Sequence, residues 1–335
     1  MLSASSNHVT EESITGASGR VYRIEKILQD KGHPLTKVYR AKSDGMTNDF
    51  VLKEISQEWD VRLGIYERIG NNCPYLRNLV DTIPERQMFV FEYLEDNLLL
   101  LARQEDEQPP VPPSAMKYIL KCILKGLAEL HSKDIIHNDI KANNIMIQFS
   151  SRAPEWKVAK VQLVDLEDAH YTPPPAALGG AWVGNIMWRS PEAHAMGPIR
   201  KSSDMWSFGL VCLYAITRVL PFAVDKASLP KDVEPLAIII SRQISYFVEA
   251  DDFCAFINYL EPDSPWVQAF METLKEFTKG GKPFKPFRMW KHYERFGQPE
   301  SLRGLIGEMV RFDPDKRLTA EEALGHEWFR EGEGG

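Results

Sequence analysis

Hydrophobic positions in the first third of the chain come in short runs. VYRIEKIL (21–28), KVYRA (37–41), DFVLKEI (49–55), LRNLVDTI (76–83) and RQMFVFEYL (86–94) are β-branched or aromatic, and Asp, Gly, Asn or Pro separates them. That texture predicts short strands, with one helical stretch over 56–69 between them. Beyond Leu94 the period changes. Met116, Ile119, Leu120, Ile123, Leu124, Leu127 and Leu130 recur at helical spacing after the breaker cluster PPVPP, and Ser114 stands where a helix cap belongs. Two further strands, Ile145–Gln148 and Val161–Asp165, precede a mainly helical remainder. The pattern predicts an α+β protein with a small mostly-β part over 20–94 and a larger mostly-α part over 95–330. The polar stretches 1–19 and 331–335 read as disordered tails.

Composition narrows the class. The 335 residues carry 26% charged and 44% hydrophobic side chains, ordinary for a globular chain, and the charge balance of 40 against 47 gives −7. No global positive field recruits nucleic acid or an acidic membrane. Cys73, Cys122, Cys212 and Cys254 form no CxxC, which reads as reduced thiols. The longest apolar run, Phe208 to Ile216, is too short to span a bilayer, and the N-terminus has no apolar signal core. An intracellular protein, cytoplasmic or nuclear, is the expectation.

The most specific stretch is IIHNDIKANNIMI, Ile135 to Ile147, with His137, Asp139, Lys141 and Asn144 just ahead of an apolar strand. VQLVDLEDA follows and places Asp165 at a strand end; RSPEAH (189–194), SSDMWSFG (202–209) and FDPDKRLTAEEALGHEWF (312–329) come later. In this order and spacing, from about residue 20 to 330, the chain resembles the eukaryotic protein kinase family, in a divergent form of Ser/Thr type.

The resemblance implies a bilobal kinase fold, ATP and Mg²⁺ as cofactors, and a protein substrate phosphorylated on Ser or Thr. Phosphoryl transfer asks for positioned phosphates, neutralised charge and an oriented hydroxyl. Asp139 would accept the hydroxyl proton and Lys141 would hold the transferring phosphate. Asn144 and Asp165 would supply hard oxygen ligands to Mg²⁺. Lys53 would take the α/β-phosphates. Val51 shares its strand face and would roof the adenine together with Val38, while Met146 would form the floor. Phe91 falls in the gatekeeper seat, and the Glu92–Leu94 backbone would bond the adenine. Glu192 and Arg317 match a buried pair anchoring the activation segment, and Asp204 a helix residue holding the catalytic-loop backbone.

The chain also departs from the family. The three glycine seats before Val38 fall on Lys31, His33 and Thr36, with Gly32 and Pro34 nearby. Arg62 occupies the seat of the helix glutamate that should pair with Lys53. Glu58, one turn earlier, is the substitute expected to reach Lys53, with Glu67 as a second choice. DFG reads Asp165-Leu166-Glu167 and HRD reads His137-Asn138-Asp139, so the arginine that normally receives a phosphorylated loop is missing. Tyr171, Thr172 and Ser190 are the phosphorylatable side chains between Asp165 and Glu192, and switching by loop phosphorylation is not expected. Asn185 stands where Ser/Thr kinases usually carry threonine, while Lys141 favours Ser/Thr over Tyr.

Lys275 to Arg295 holds seven Lys/Arg, two Glu and five aromatics: Phe277, Phe284, Phe287, Trp290 and Tyr293. One reading packs these aromatics on the large lobe beneath a solvated basic rim. The other makes 275–295 a docking surface for an acidic or phosphorylated partner. Three functions compete: an active Mg-ATP protein kinase, a pseudokinase serving as a nucleotide-binding or scaffold module, and a small-molecule phosphotransferase. Lys53, Asp139, Asn144 and Asp165 together favour the first; the eroded glycine seats and Arg62 speak for the second. Lys141, SPE, DMWSFG and DPDKR in one chain disfavour the third.

Overall fold

A computed structural model describes residues 12–330 other than 31, 33–36, 56, 104–109, 181 and 292–298. The glycine seats Lys31, His33 and Thr36, as well as Pro34, Ser56, Tyr293 and the tails 1–11 and 331–335, lie outside the described residues. The chain divides into two compact units between Glu95 and Asp96.

The first unit holds β1 (Glu12–Thr15), β2 (Val21–Asp30), β3 (Lys37–Ser43), β4 (Phe50–Glu54), α1 (Trp59–Ile69), β5 (Asp81–Ile83) and β6 (Met88–Glu92). Its strands form one sheet in the order β1-β2-β3-β4-β6-β5, with every neighbour antiparallel. Alternation sends Ile14, Tyr22, Ile24, Phe50, Leu52, Met88 and Val90 into one core cluster.

The expectation that residues 1–19 are disordered is corrected for 12–19. Glu12–Thr15 is an edge strand, pairing with Val21–Ile24. The composition concealed it because its anchor is distant in sequence. Buried Asp81 accepts from Ser18 N at 3.1 Å and Tyr22 Oη at 3.0 Å, and Thr82 O accepts from Ala17 N at 2.8 Å. Helix α1 also starts later than the pattern suggests, at Trp59, because Glu58 sits in the left-handed region at φ 54°.

The second unit begins with β7 (Asp96–Asn97), α2 (Leu98–Arg103), α3 (Pro113–Ser132), β8 (Ile135–Ile136), β9 (Ile145–Ser151), β10 (Lys157–Leu163) and β11 (His170–Tyr171). It continues with α4 (Pro191–His194), α5 (Lys201–Thr217), α6 (Pro235–Phe247), α7 (Ala250–Tyr259), α8 (Pro265–Thr278), α9 (Pro299–Met309), α10 (Ala320–Leu324) and α11 (Glu327–Arg330). Small sheets β10-β9-β7 and β11-β8 shape its loops. Pro113 occupies the first helical position of α3, where its fixed φ fits and its missing N–H costs nothing, so the helix opens one residue before Ser114. Every residue of α5 from Ser203 to Ile216 is buried, as an almost wholly apolar helix requires. The α+β architecture expected from the pattern, a small mostly-β unit followed by a large mostly-α one, is the one observed.

Candidate active site

In the second unit the loop between β8 and β9 is built around one carboxylate, Asp204 near the start of α5. Asp204 Oδ2 accepts from His137 N at 2.7 Å and Oδ1 from Asn138 N at 2.9 Å, and His131 Nε2 lies 3.0 Å from Oδ2. Asn138 takes a left-handed φ of 65°, and its side-chain Nδ2 donates to Asp168 O at 2.7 Å. His137 is fully buried. Its Nδ1 accepts from Asp139 N at 3.2 Å, which leaves Nε2–H to donate to Val164 O at 3.1 Å. The chain is thereby turned so that Asp139 leads into a ring of donors.

Three groups converge on Asp139. Lys141 Nζ forms a short ion pair with Oδ2, Asn144 Nδ2 donates to Oδ2 at 3.0 Å, and Asn185 N donates to Oδ1 at 3.2 Å. Asn144 Nδ2 also donates to Asp139 O at 2.9 Å, so its amide orientation is fixed and Oδ1 is the atom left for a ligand. Asn144 O accepts from Val164 N at 2.9 Å, which ties the loop to the strand end carrying Asp165. Asp165 itself adopts φ 69°, ψ 63°, and Leu166 behind it is buried. Met146 lies half-buried on β9. Asn144 and Asp165 thus offer one amide oxygen and one carboxylate, a hard and incomplete donor set suited to Mg²⁺, which fills its remaining positions with phosphate oxygens and water.

The segment before α4 closes against this loop at Gly184. Gly184 has φ +68°, and a Cβ there would meet Asn138 O at 2.1 Å, so only glycine admits that approach. Gly184 N donates to Asp168 Oδ2 at 3.3 Å, and Arg189 Nη2 donates to Gly184 O at 2.7 Å.

The structure brings Glu192 and Arg317 together as a bidentate pair, 2.7 Å and 2.8 Å, with both side chains at 0% exposure. Ser203 Oγ donates to Glu192 Oε1 at 2.6 Å and Arg317 Nε donates to Arg311 O at 2.7 Å, so neither charge is left open. Burial alone would raise the Glu192 carboxyl, but Arg317 and Ser203 hold it below its ordinary value.

In the first unit Val38 pairs across the sheet with Lys53, Val51 with Phe91, and Lys53 with Phe89. Val51, Phe91 and Leu94 are buried and Lys53 is half-buried. Phe91 packs against Tyr66 of α1 at 5.5 Å, and the Glu92 carbonyl accepts from Arg77 Nη2 at 2.9 Å. The expected Glu58–Lys53 pair is corrected: Glu58 is exposed, ahead of the helix, and its ion pair is with Arg62 at 3.8 Å. The left-handed turn at Glu58 ends the helical face on which that pairing depended. Glu67, the second choice, is also exposed.

Within 275–291, Phe287 is buried against Phe247 at 5.5 Å, and Trp290 packs on Tyr246 at 5.0 Å. Phe284 and Met289 remain 40% and 70% exposed. Part of the stretch packs, and part presents apolar groups among lysines.

His131, which reaches Asp204 from the end of α3, carries no motif in the sequence. Asn138 and Asn185, which stand out in the sequence as departures from the family, and Arg189, a letter of the RSPEAH motif, each bond a loop or activation-segment group.

The protein kinase domain family model matches residues 11–329, and the chain belongs to that family. Among curated relatives, the serine/threonine-protein kinase SSN3 of Yarrowia lipolytica is 28% identical over 88% of this chain and 74% of its own. SSN3 of Chaetomium globosum is 29% identical over 95% and 68%. A chain in the structure of the CAK complex from Chaetomium thermophilum bound to ATP-gamma-S superposes with a TM-score of 0.67 at 20% identity, covering 93% of this chain and 92% of that one. That likeness extends to the fold.

Proposed function

We propose that this chain is a Mg-ATP-dependent protein kinase that transfers the γ-phosphate to a Ser or Thr hydroxyl of a protein substrate. The observation that carries this is the convergence of Lys141, Asn144 and Asn185 on Asp139. A carboxylate so held can orient and deprotonate a hydroxyl, with Lys141 beside it to neutralise an incoming phosphate. Asn144 Oδ1 and Asp165 would hold Mg²⁺, whose charge steadies the phosphates. Lys53 is assigned to the α/β-phosphates. Val38, Val51, Phe91, Leu94 and Met146 are assigned to the adenine, with the Glu92–Leu94 backbone offering it hydrogen bonds. Names of the relatives favour Ser/Thr over Tyr, as does Lys141.

The exposed Phe284 and Met289 beside Lys282, Lys285 and Arg288 support docking of an acidic or phosphorylated partner on this stretch. Among the described residues no helix is long and apolar enough to cross a membrane, and the free cysteines are in keeping with a cytoplasmic or nuclear place. A pseudokinase is the second reading, favoured by Glu58 turning away from Lys53. Mg-ATP thermal shift together with phosphorylation of a generic Ser/Thr substrate, wild type beside Asp139→Asn, separates the two. Transfer that is lost in the variant upholds the kinase; nucleotide binding without transfer in the wild type upholds the pseudokinase.

A further inference from the structure

Arg189, 7% exposed, is the least satisfied charge in the described part of the second unit. Its Nη2 reaches Gly184 O, but Nε and Nη1 are buried with no hydrogen-bond partner. Buried guanidinium donors are ordinarily all bonded. Two carboxylates act on it through space, Asp168 and Asp139, but neither accepts a hydrogen bond from Nε or Nη1: Asp168 Oδ2 accepts from Gly184 N, and Asp139 is held by Lys141, Asn144 and Asn185. Burial outweighs their attraction, and the guanidinium is pulled below its ordinary value. His194, fully buried, has its pKa pushed down to about 3 by burial and by the Arg189 charge, so it adds no second cation. Arg317 in the same unit shows the contrast, with Nε, Nη1 and Nη2 all bonded and a carboxylate opposite.

What covers Arg189 is an exposed aromatic. The guanidinium carbon lies 5.3 Å from the Trp182 ring centroid, and Trp182 is 55% exposed, its ring also meeting Trp266 at 6.3 Å. The cover stands beside the reacting position, because Asn185, three residues on, donates its N–H to Asp139.

We propose that Arg189 receives a carboxylate from the protein substrate, on a residue flanking the phosphoacceptor, and that Trp182 moves aside as it enters. The proposal rests on the reading of Asp139 as the base. It gives the guanidinium the acceptor and the charge it lacks, and makes the substrate class an acidic peptide.

The test uses the full chain and fluorescently labelled peptides with Ala at the acceptor position, so that binding is read without transfer. Glu, Gln, Pro or Leu is placed on either side of that Ala. A Glu peptide should bind about tenfold more tightly than its Gln twin, as a charge-assisted pair requires, and should change Trp182 fluorescence. Arg189→Met should abolish the difference and Arg189→Lys should keep part of it. Should Arg189→Met fail to fold, Trp182→Ala must still prefer Glu while losing the fluorescence change. Equal binding of Glu and Gln, tighter binding of Pro or Leu, or no saturable binding overturns the proposal. The same peptides with Ser restored separate it from the kinase reading. Glu-selective binding without transfer upholds the arginine site and removes the kinase; transfer indifferent to Glu does the reverse.

Discussion

The loop from His137 to Asn144 was expected to gather polar side chains and the stretch from Lys53 to Arg62 to hold an ion pair, and they turned out differently. In the loop every expected polar side chain meets a partner: Asp204 fixes two amides, Asn144 and Lys141 hold Asp139, and the groups lie within a few residues or on a buried helix. Between β4 and α1 the expected pair requires a strand and a helix to stand in one register. A left-handed residue at Glu58 breaks it. A polar cluster carried by a contiguous loop can be read from its spacing, whereas a pair shared between a strand and a helix depends on where the helix begins.

The largest effect is expected at Asp139. Asp139→Asn should keep the fold and cut phosphoryl transfer by about 10²–10⁴-fold, measured as initial rate on a protein substrate. An unchanged rate would remove the loop's claim to be the catalytic half.

The frame beneath the loop comes next. Arg317→Ala leaves Glu192 as a buried, unpaired carboxylate, which should cost about 3–5 kcal/mol in denaturant unfolding. A loss of the size of a surface substitution would mean that the pair is incidental.

Acid sharpens the same point. His194 is neutral and buried with a pKa of about 3, against 6.5 in the open chain. Below pH 6.5 the unfolded state binds the proton that the folded state refuses, so this stability is complete above 6.5 and drains as pH falls toward 3. Between pH 7 and 5 the loss should be about 2 kcal/mol, and His194→Leu should flatten that slope in unfolding titrations.

The smallest effect is expected at Glu58. Glu58→Gln should shift stability by no more than about 0.5 kcal/mol, as for an exposed pair, and leave turnover within about twofold. A large loss of turnover with nucleotide binding intact would restore the pairing with Lys53 and erase the contrast between the two regions.

Legibility followed the same division. The α+β fold was readable because strand alternation and helical period are local properties. Asp139, Lys141 and Asn144 could be placed together from their spacing in one short loop, and Glu192 with Arg317 from their specific motifs. Strand β1 was hidden: Ile14 is one apolar residue among polar ones, and its tether is Asp81, far along the chain. Arg189 was visible as a letter, but not as a charge with two idle donors. That depends on burial, which no motif states.

The Asp204 carboxylate has a consequence for how the protein reaches its working shape. The amides of His137 and Asn138 are held by a residue 67 and 66 positions away in the chain. A short loop with a left-handed residue in it has no local reason to adopt this form, so it must wait until α5 has docked against α3. The loop is therefore late to assemble, and the amide hydrogens of His137 and Asn138 exchange with solvent only when α5 itself comes away.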